Sequence, residues 1–239
     1  MLNIQADFIQ EITPSESIIL NSNYIIFDPS LWAGAHQLLK EIEVDFHLIG
    51  LNVFTKPERT PTLIDLNSLS EDKKIELWNQ IGRYNTTNAF SQFDQMNMMQ
   101  TYIKSTKDLE DFKKFLADFM IIRYQGEKAV FRFYDPRVAI HFINLFSLID
   151  KNRYYKKWLE YTDKWLVSVN QKYYEIKKTC LEESIFDFDS VDEINNILRE
   201  ESTVLFDEEG NEKEAIFQPL NQMILNTYKK FYIGKNDNG

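Results

Sequence analysis

The feature that most constrains this chain is an eight-residue stretch at 131–138, which reads Phe-Arg-Phe-Tyr-Asp-Pro-Arg-Val. Its first four residues alternate between aromatic rings, Phe131 and Phe133, and the more polar Arg132 and Tyr134. A two-residue period is typical of a β-strand with two different faces. We therefore predict that this stretch begins as a strand.

The second half of the stretch predicts the start of a helix. Asp135 stands where a helix N-cap belongs, because its carboxylate can accept hydrogen bonds from the free N–H groups of the first turn. Pro136 follows at the first helical position, where a missing N–H costs nothing. Apolar residues then continue at helical spacing to about Leu148. We expect Arg137 to pair with a carboxylate or with backbone carbonyls nearby.

The surrounding pattern predicts a mixed α/β (α+β) fold. Dense apolar runs and turn residues indicate strands at 23–28, 47–51, 62–66 and 120–124, a short strand at 18–20, and hairpins near 120–134 and 165–177. Asp28-Pro29 repeats the Asp-Pro pattern and is predicted to start a helix that runs to about Ile42. Further helices are predicted at about 71–83 after Ser70, from Asp108 or Thr106 onward, and up to about Asp163. We expect a mixed β-sheet flanked by helices in an N-terminal lobe.

Charge is concentrated in one segment of the chain. The net charge is −10, yet residues 181–214 alone carry 13 acidic side chains and two basic ones. The rest of the chain is nearly balanced, which disfavours binding of nucleic acid by neutralisation of phosphates. The basic and aromatic stretch 151–178 is better explained by buried rings and solvated charges, and we expect no nucleic-acid partner.

The residues that carry common catalytic chemistry are sparse. Cys180 is the single cysteine, which fits a reducing compartment, and the three histidines, His36, His47 and His141, are far apart. We predict no catalytic residues, no metal site and no cofactor. Residues 1–10 show neither a basic region nor a long apolar run, so we expect no signal peptide and no membrane partner.

The octapeptide at 131–138 resembles the signature of the type VI secretion effector chaperones, also called effector adaptors. The resemblance extends over about residues 23–147, with support from the strand at 120–124, the Gln125-Gly126 turn and the proline-flanked strand at 62–64. It implies an effector-chaperone α/β lobe at 23–149 and a variable, mostly helical C-terminal lobe at 150–239. The residues themselves add an arm at 1–22 and place the acidic segment 181–214 in the C-terminal lobe.

The resemblance also implies a function. Such proteins are cytoplasmic and non-catalytic, bind one cognate secreted effector, and help to load it onto the valine-glycine-repeat spike. We expect residues 131–137 to be structural, with contact to a partner as the open alternative. Two other classes also stay open: an immunity-type protein that neutralises a toxin, and an enzyme of unrecognised type.

Aromatic side chains of the second half are candidates for binding the client, because interfaces are rich in Tyr, Trp and Arg. Most aromatics there must be core, and the sequence does not separate core from interface. The candidates are Tyr154, Tyr155, Trp158, Trp165, Tyr173 and Tyr174. We expect client specificity to lie in this half.

Overall fold

The structure is a computed structural model. It describes residues 9–32, 34–51, 53–54, 56–87, 99–124, 127–136, 138–139, 153–169 and 172–176. Nine strands are described: β1 Ile9–Ile12, β2 Tyr24–Phe27, β3 His47–Leu48, β4 Thr62–Asp65, β5 Thr101–Lys104, β6 Ile121–Tyr124, β7 Glu127–Val130, β8 Lys164–Val169 and β9 Lys172–Ile176. The α-helices with full bounds are α1 Ser17–Leu20, α2 Ala35–Glu41, α3 Glu71–Thr87, α4 Leu109–Phe119 and α5 Arg153–Tyr161.

Seven of these strands form one sheet in the order β1-β9-β8-β5-β2-β4-β3, and β6 and β7 form a separate hairpin. The α/β class predicted from the sequence is confirmed. Every described strand pairing is antiparallel, which corrects the predicted mixed β-sheet.

Helix starts follow the capping residues that the sequence indicated. Asp108 accepts a hydrogen bond on its carboxylate from the N–H of Asp111 (2.9 Å), and Ser70 accepts one on its hydroxyl from the N–H of Lys73 (3.3 Å). Each bond satisfies an N–H group that the first helical turn leaves free. The hairpin of β8 and β9 is confirmed as well, since Val169 pairs with Lys172.

Alternation along the strands divides the core into two parts, one on each face of the large sheet. One cluster, the aromatic face, includes Tyr24, Ile103 and Trp165 from the strands and packs against α4, α5 and residues 131–139. The other cluster, the aliphatic face, includes Ile25 and Ile64 and packs against α1, α2 and α3. The sheet is therefore covered by helices on both sides.

The sheet crosses the boundaries that the sequence suggested between three parts. Strand β8 pairs along β5 and strand β1 pairs along β9, so residues from the predicted arm and from the predicted C-terminal lobe complete the same sheet as residues 23–149. Residues 164–176 thus lie in the same sheet as residues 101–104, because β8 is the neighbour of β5. The division into three parts stays a prediction. The acidic segment 181–214 lies outside the described residues.

Two local predictions also differ from the structure. Residues 18–20 belong to the helix α1, where Ile18 and Ile19 are buried on the aliphatic face, and do not form a strand. Thr101–Lys104 was not predicted at all, yet β5 lies between β2 and β8. Four residues with one alternation give too weak a local signal for a strand, and pairing on both sides supplies the stability.

Candidate functional site

The stretch 131–136 is a turn and the start of a helix, which corrects the predicted strand. Strand β7 ends at Val130, and the N–H of Phe131 then donates to the carbonyl of Met120 (2.7 Å). The N–H of Asp135 donates to the carbonyl of Arg132 (2.9 Å), which closes a tight turn. The alternation of side chains was real, but the turn brings Phe133 and Tyr134 both into the interior.

The helix start predicted at Asp135 and Pro136 is confirmed by a backbone hydrogen bond. The N–H of Ala139 donates to the carbonyl of Asp135 (2.8 Å), which is the first hydrogen bond of a helix that has Asp135 at its N-cap. Pro136 occupies the first helical position. Arg137 and the continuation of this helix from residue 140 lie outside the described residues, so the partner predicted for Arg137 stays a prediction.

The two phenylalanines of the stretch anchor it in the aromatic face. Phe133 is fully buried and lies 5.2 Å from Phe119 and 5.2 Å from Trp158, measured between ring centroids. Phe131 is partly buried and lies 5.6 Å from Phe119. Ring pairs at these separations add to the free energy gained by removing the rings from water.

A buried polar cluster fixes the same stretch to the end of the sheet. The guanidinium of Arg132 forms an ion pair with the carboxylate of Asp28, which is almost fully buried. The other carboxylate oxygen of Asp28 accepts from the N–H and the hydroxyl of Ser30 (2.9 and 2.6 Å). The N–H of Asp28 donates to the side-chain carbonyl of Gln100 (3.0 Å). Asp28 is therefore held from three directions.

The sheet topology explains why these residues meet. Strand β2 ends at Phe27, and β5 begins at Thr101 and runs antiparallel to it, so Asp28 and Gln100 lie at the same end of the sheet. The hydroxyl of Thr101 donates to the carbonyl of Tyr134 (2.9 Å), which joins the stretch directly to β5. We call Asp28, Gln100, Thr101, Arg132 and Tyr134 the sheet-end cluster.

Charges in the sheet-end cluster shift the pKa values of its members. Burial alone would lower the pKa of Arg132, but the nearby Asp28, Tyr134 and Asp135 outweigh burial and raise it. Burial raises the pKa of Tyr134, the charge of Asp28 raises it further, and Arg132 opposes the shift. Arg132 stays charged and Tyr134 stays neutral under ordinary conditions, so the cluster is a fixed arrangement of an ion pair and a phenol.

The sequence predicts a helix cap at Asp28 and pairs Arg137 with a carboxylate or with backbone carbonyls, but it does not predict the pairing of Asp28 with Arg132. Asp28 does cap the short 3-10 helix Pro29–Leu31. The longer helix predicted from Pro29 to Ile42 is interrupted, however, because α2 begins only at Ala35 with Gly34 at its N-cap. The ion pair joins residues 104 positions apart. A carboxylate directly after a buried strand and an arginine in the octapeptide were the available signals, but nothing local connects them.

The candidate partner-binding aromatics of the second half are largely core residues. Trp158, Trp165, Tyr173 and Tyr174 are all buried. Trp158 and Trp165 lie against each other in the aromatic face, with ring centroids 4.5 Å apart, while Tyr173 belongs to the aliphatic face. These four side chains are therefore part of the core in this structure, and their contact with a client stays a prediction. The side chains of Tyr154 and Tyr155 lie outside the described residues.

His36 has a packing role. His36 shares a hydrogen bond between its Nε2 and the hydroxyl of Thr62 (2.7 Å) and stacks on Phe46 with centroids 4.5 Å apart. Within the described ranges, no group of three or more His, Cys, Asp or Glu residues could hold a metal ion. None of the helices described there has the length and apolar character needed to span a bilayer.

Comparison with known proteins gives one match. A family model described as a domain of unknown function, DUF4123, matches residues 57–153. That range contains the whole octapeptide, together with strands β4 to β7. The domain is known in type VI secretion effector adaptors. No curated protein and no solved structure matches this chain.

Proposed function

We propose that this protein is a cytoplasmic effector chaperone, or adaptor, of a type VI secretion system. It binds a cognate secreted effector, helps to load it onto the valine-glycine-repeat spike, and does no chemistry itself. The observation that carries the proposal is the match of residues 57–153 to a domain known in such adaptors. The octapeptide that suggested the same family lies inside that range.

The character of the sheet-end cluster supports a binding role rather than a catalytic one. Asp28 already accepts hydrogen bonds from Arg132 and Ser30, so its carboxylate is occupied and is not poised to remove a proton. The raised pKa of Tyr134 likewise keeps that phenol protonated. Such a cluster gives a rigid scaffold, which lowers the entropic cost of presenting a surface to a partner.

The test is co-expression of the full chain with the toxin encoded beside it, followed by size-exclusion chromatography. We expect a stoichiometric complex that requires the loading region of the effector. An effector from an unrelated secretion cluster is the control and should elute separately. A complex that requires only the toxic domain would indicate an immunity-type protein instead. The proposal fails if no complex forms with any neighbouring effector or spike protein.

A truncation near residue 150 would not test whether the second half of the chain determines which effector binds. Such a truncation removes α5, β8 and β9, and with them Trp158 and Trp165 from the aromatic face. The remaining chain would lose a sheet neighbour of β5 and would not fold as a unit. Exchange of residues 177–239 between two related adaptors retains all the strands that the structure describes and tests client choice directly.

A further inference from the structure

The two edges of the seven-stranded sheet differ in length. Strand β3 forms one edge with only two residues, whereas β1 forms the other edge with the four residues Ile9–Ile12. A strand at an edge is paired along one side of its backbone only. In the described sheet, β1 therefore has one neighbouring strand, β9, whereas β8 has two, β5 and β9.

The side chains of β1 give it little anchorage in the core. Among those that the structure describes, Gln10 and Glu11 are exposed, and Ile12 is partly buried against the aliphatic face. In β8, by contrast, the four successive residues 165–168 are buried. Because the free energy gained from burial grows with the apolar area removed from water, burial holds β1 less firmly than β8.

An exposed link separates β1 from the first helix. Residues 13–17 are all exposed, and Pro14 has no N–H with which to extend the strand pairing. Helix α1 follows and is anchored by Ile18 and Ile19, which are buried. Movement of residues 9–12 away from the sheet therefore requires backbone rotation only in the exposed link and leaves α1 in place.

Strand β9 has supports that do not depend on β1. It pairs with β8 along its whole length. The ring of Tyr173 lies 5.5 Å from that of Trp78 on α3, measured between centroids, and the carboxylate of Glu175 pairs with Lys164 on β8 (3.0 Å). Release of β1 would thus uncover the outer backbone edge of β9 while these contacts keep β9 in the sheet.

We propose that residues 9–12 are a releasable strap over the edge of β9. With the strap closed, as in this structure, the edge is paired. With the strap open, β9 presents N–H and C=O groups to which an extended strand can pair. The strap defines the chemistry of that strand, because Ile12 lies opposite Tyr173 and Gln10 lies opposite Glu175. The open edge therefore takes an antiparallel segment with an apolar residue opposite Tyr173 and polar residues before it.

The first experiment locks the strap in the full chain. Gln10→Cys with Glu175→Cys places two thiols at directly opposite positions of β1 and β9, and Cys180→Ser removes the remaining thiol. Hydrogen exchange is measured on the wild type and on this variant, whose reduced form is the matched control for its oxidised form. In the wild type and the reduced form, we expect residues 9–12 to exchange on the order of a hundredfold faster than residues 164–169.

The disulfide should remove most of this difference, because it prevents β1 from leaving β9. Equal exchange rates for residues 9–12 and 164–169 in the wild type would mean that β1 opens only together with the whole sheet. That result would overturn the proposal.

A second variant, Ile12→Asn, removes the apolar anchor of the strap. We expect exchange of residues 9–12 to rise at least about tenfold, and exchange of residues 164–169 to change by less than about twofold, because the strap opens by itself. An equal rise in both segments would show that β1 and β8 belong to one cooperative unit, which contradicts a releasable strap.

The open edge is then probed with a labelled synthetic peptide that has the sequence of residues 7–14. We expect this peptide to bind most tightly to Ile12→Asn, whose own strap competes least, and at least about tenfold more weakly to the oxidised form of the locked variant than to its reduced form. Equal binding to the two forms, or binding to neither, would show that β9 does not accept a strand. The proposal goes beyond the proposed function, and these experiments need no effector, so their failure leaves that function in place.

Discussion

The two faces of the large sheet are built in different ways. The aliphatic face is covered by α1, α2 and α3, whose inward residues are mainly Ile, Leu and Ala, with Trp78 of α3 beside Tyr102 and Tyr173. The aromatic face is covered by α4, α5 and the octapeptide, and its rings touch one another, as Phe115 and Tyr161 do at 4.0 Å between centroids. The aromatic face also ends in the sheet-end cluster, where Asp28 and Arg132 form their ion pair.

This difference shows how residues 131–135, which form neither a helix nor a strand, are held in place. A helix with an apolar stripe can be placed by burial alone, because its backbone hydrogen bonds are satisfied internally. Residues 131–135 have no such ladder, so they need specific partners: large rings for Phe133, an ion pair for Arg132 and the Thr101 hydroxyl for the carbonyl of Tyr134. The stretch that resembles the adaptor signature is thus held in place by ring contacts, an ion pair and a hydrogen bond to β5.

The largest expected effect comes from Phe133→Ala. Removal of this fully buried ring leaves a cavity between Phe119 and Trp158, and should lower the free energy of unfolding by about 3–5 kcal/mol. Ile64→Val on the aliphatic face should lower it by about 0.5–1.5 kcal/mol. Urea unfolding of both variants measures the contrast, and equal losses would contradict the role assigned to the ring.

A double-mutant cycle on Asp28 and Arg132 should give the next largest effect. With Asp28→Asn and Arg132→Met, we expect a coupling free energy of about 1–2 kcal/mol, at the low end for charged hydrogen bonds because Arg132 is partly exposed. The exposed pair Lys73 and Glu76 on α3 is the matched control, with an expected coupling of about 0.3–0.5 kcal/mol. A coupling near zero at Asp28 would mean that the ion pair does not fasten the stretch.

Thr101→Val tests the remaining polar link to the octapeptide. The substitution keeps the shape of the side chain and removes the hydroxyl that donates to Tyr134, and should cost about 1 kcal/mol of unfolding free energy. Thr101→Ser retains the donor and serves as the control. Hydrogen exchange should increase in residues 131–136 of the valine variant and not in α2, and uniform protection would argue against the link.

The smallest expected effect is a decrease in the free energy of unfolding at low pH, and it arises from His36. Burial, with the charge of Lys40 as a second cause, lowers the pKa of His36 from its ordinary value of 6.5. As pH falls below that value, the unfolded chain binds a proton before the folded chain does, so the free energy of unfolding decreases. Wild type should therefore lose more stability than His36→Gln between about pH 7.5 and about pH 5. Parallel curves for the two proteins would show that His36 does not contribute.

Much of the local structure could be predicted from the residues themselves. The caps at Ser70, Asp108 and Asp135 were found because each depends on residues within one turn. The hairpin of β8 and β9 was found for the same reason. The candidate site was found only in part, since the octapeptide was recognised while the ion pair between Arg132 and Asp28 was not predicted.

The sequence by itself determined the α/β class, where most helices start, and that residues 131–138 carry the family resemblance. Only the tertiary structure decided that residues 164–176 and 9–12 complete the sheet, that Thr101–Lys104 lies between β2 and β8, and that Trp158 is core. It also decided that Asp28 meets Arg132. The physical reason is range: a cap or a turn is set by neighbours a few positions away, whereas strand order and the pairing of residues 104 positions apart are fixed by burial of the whole sheet.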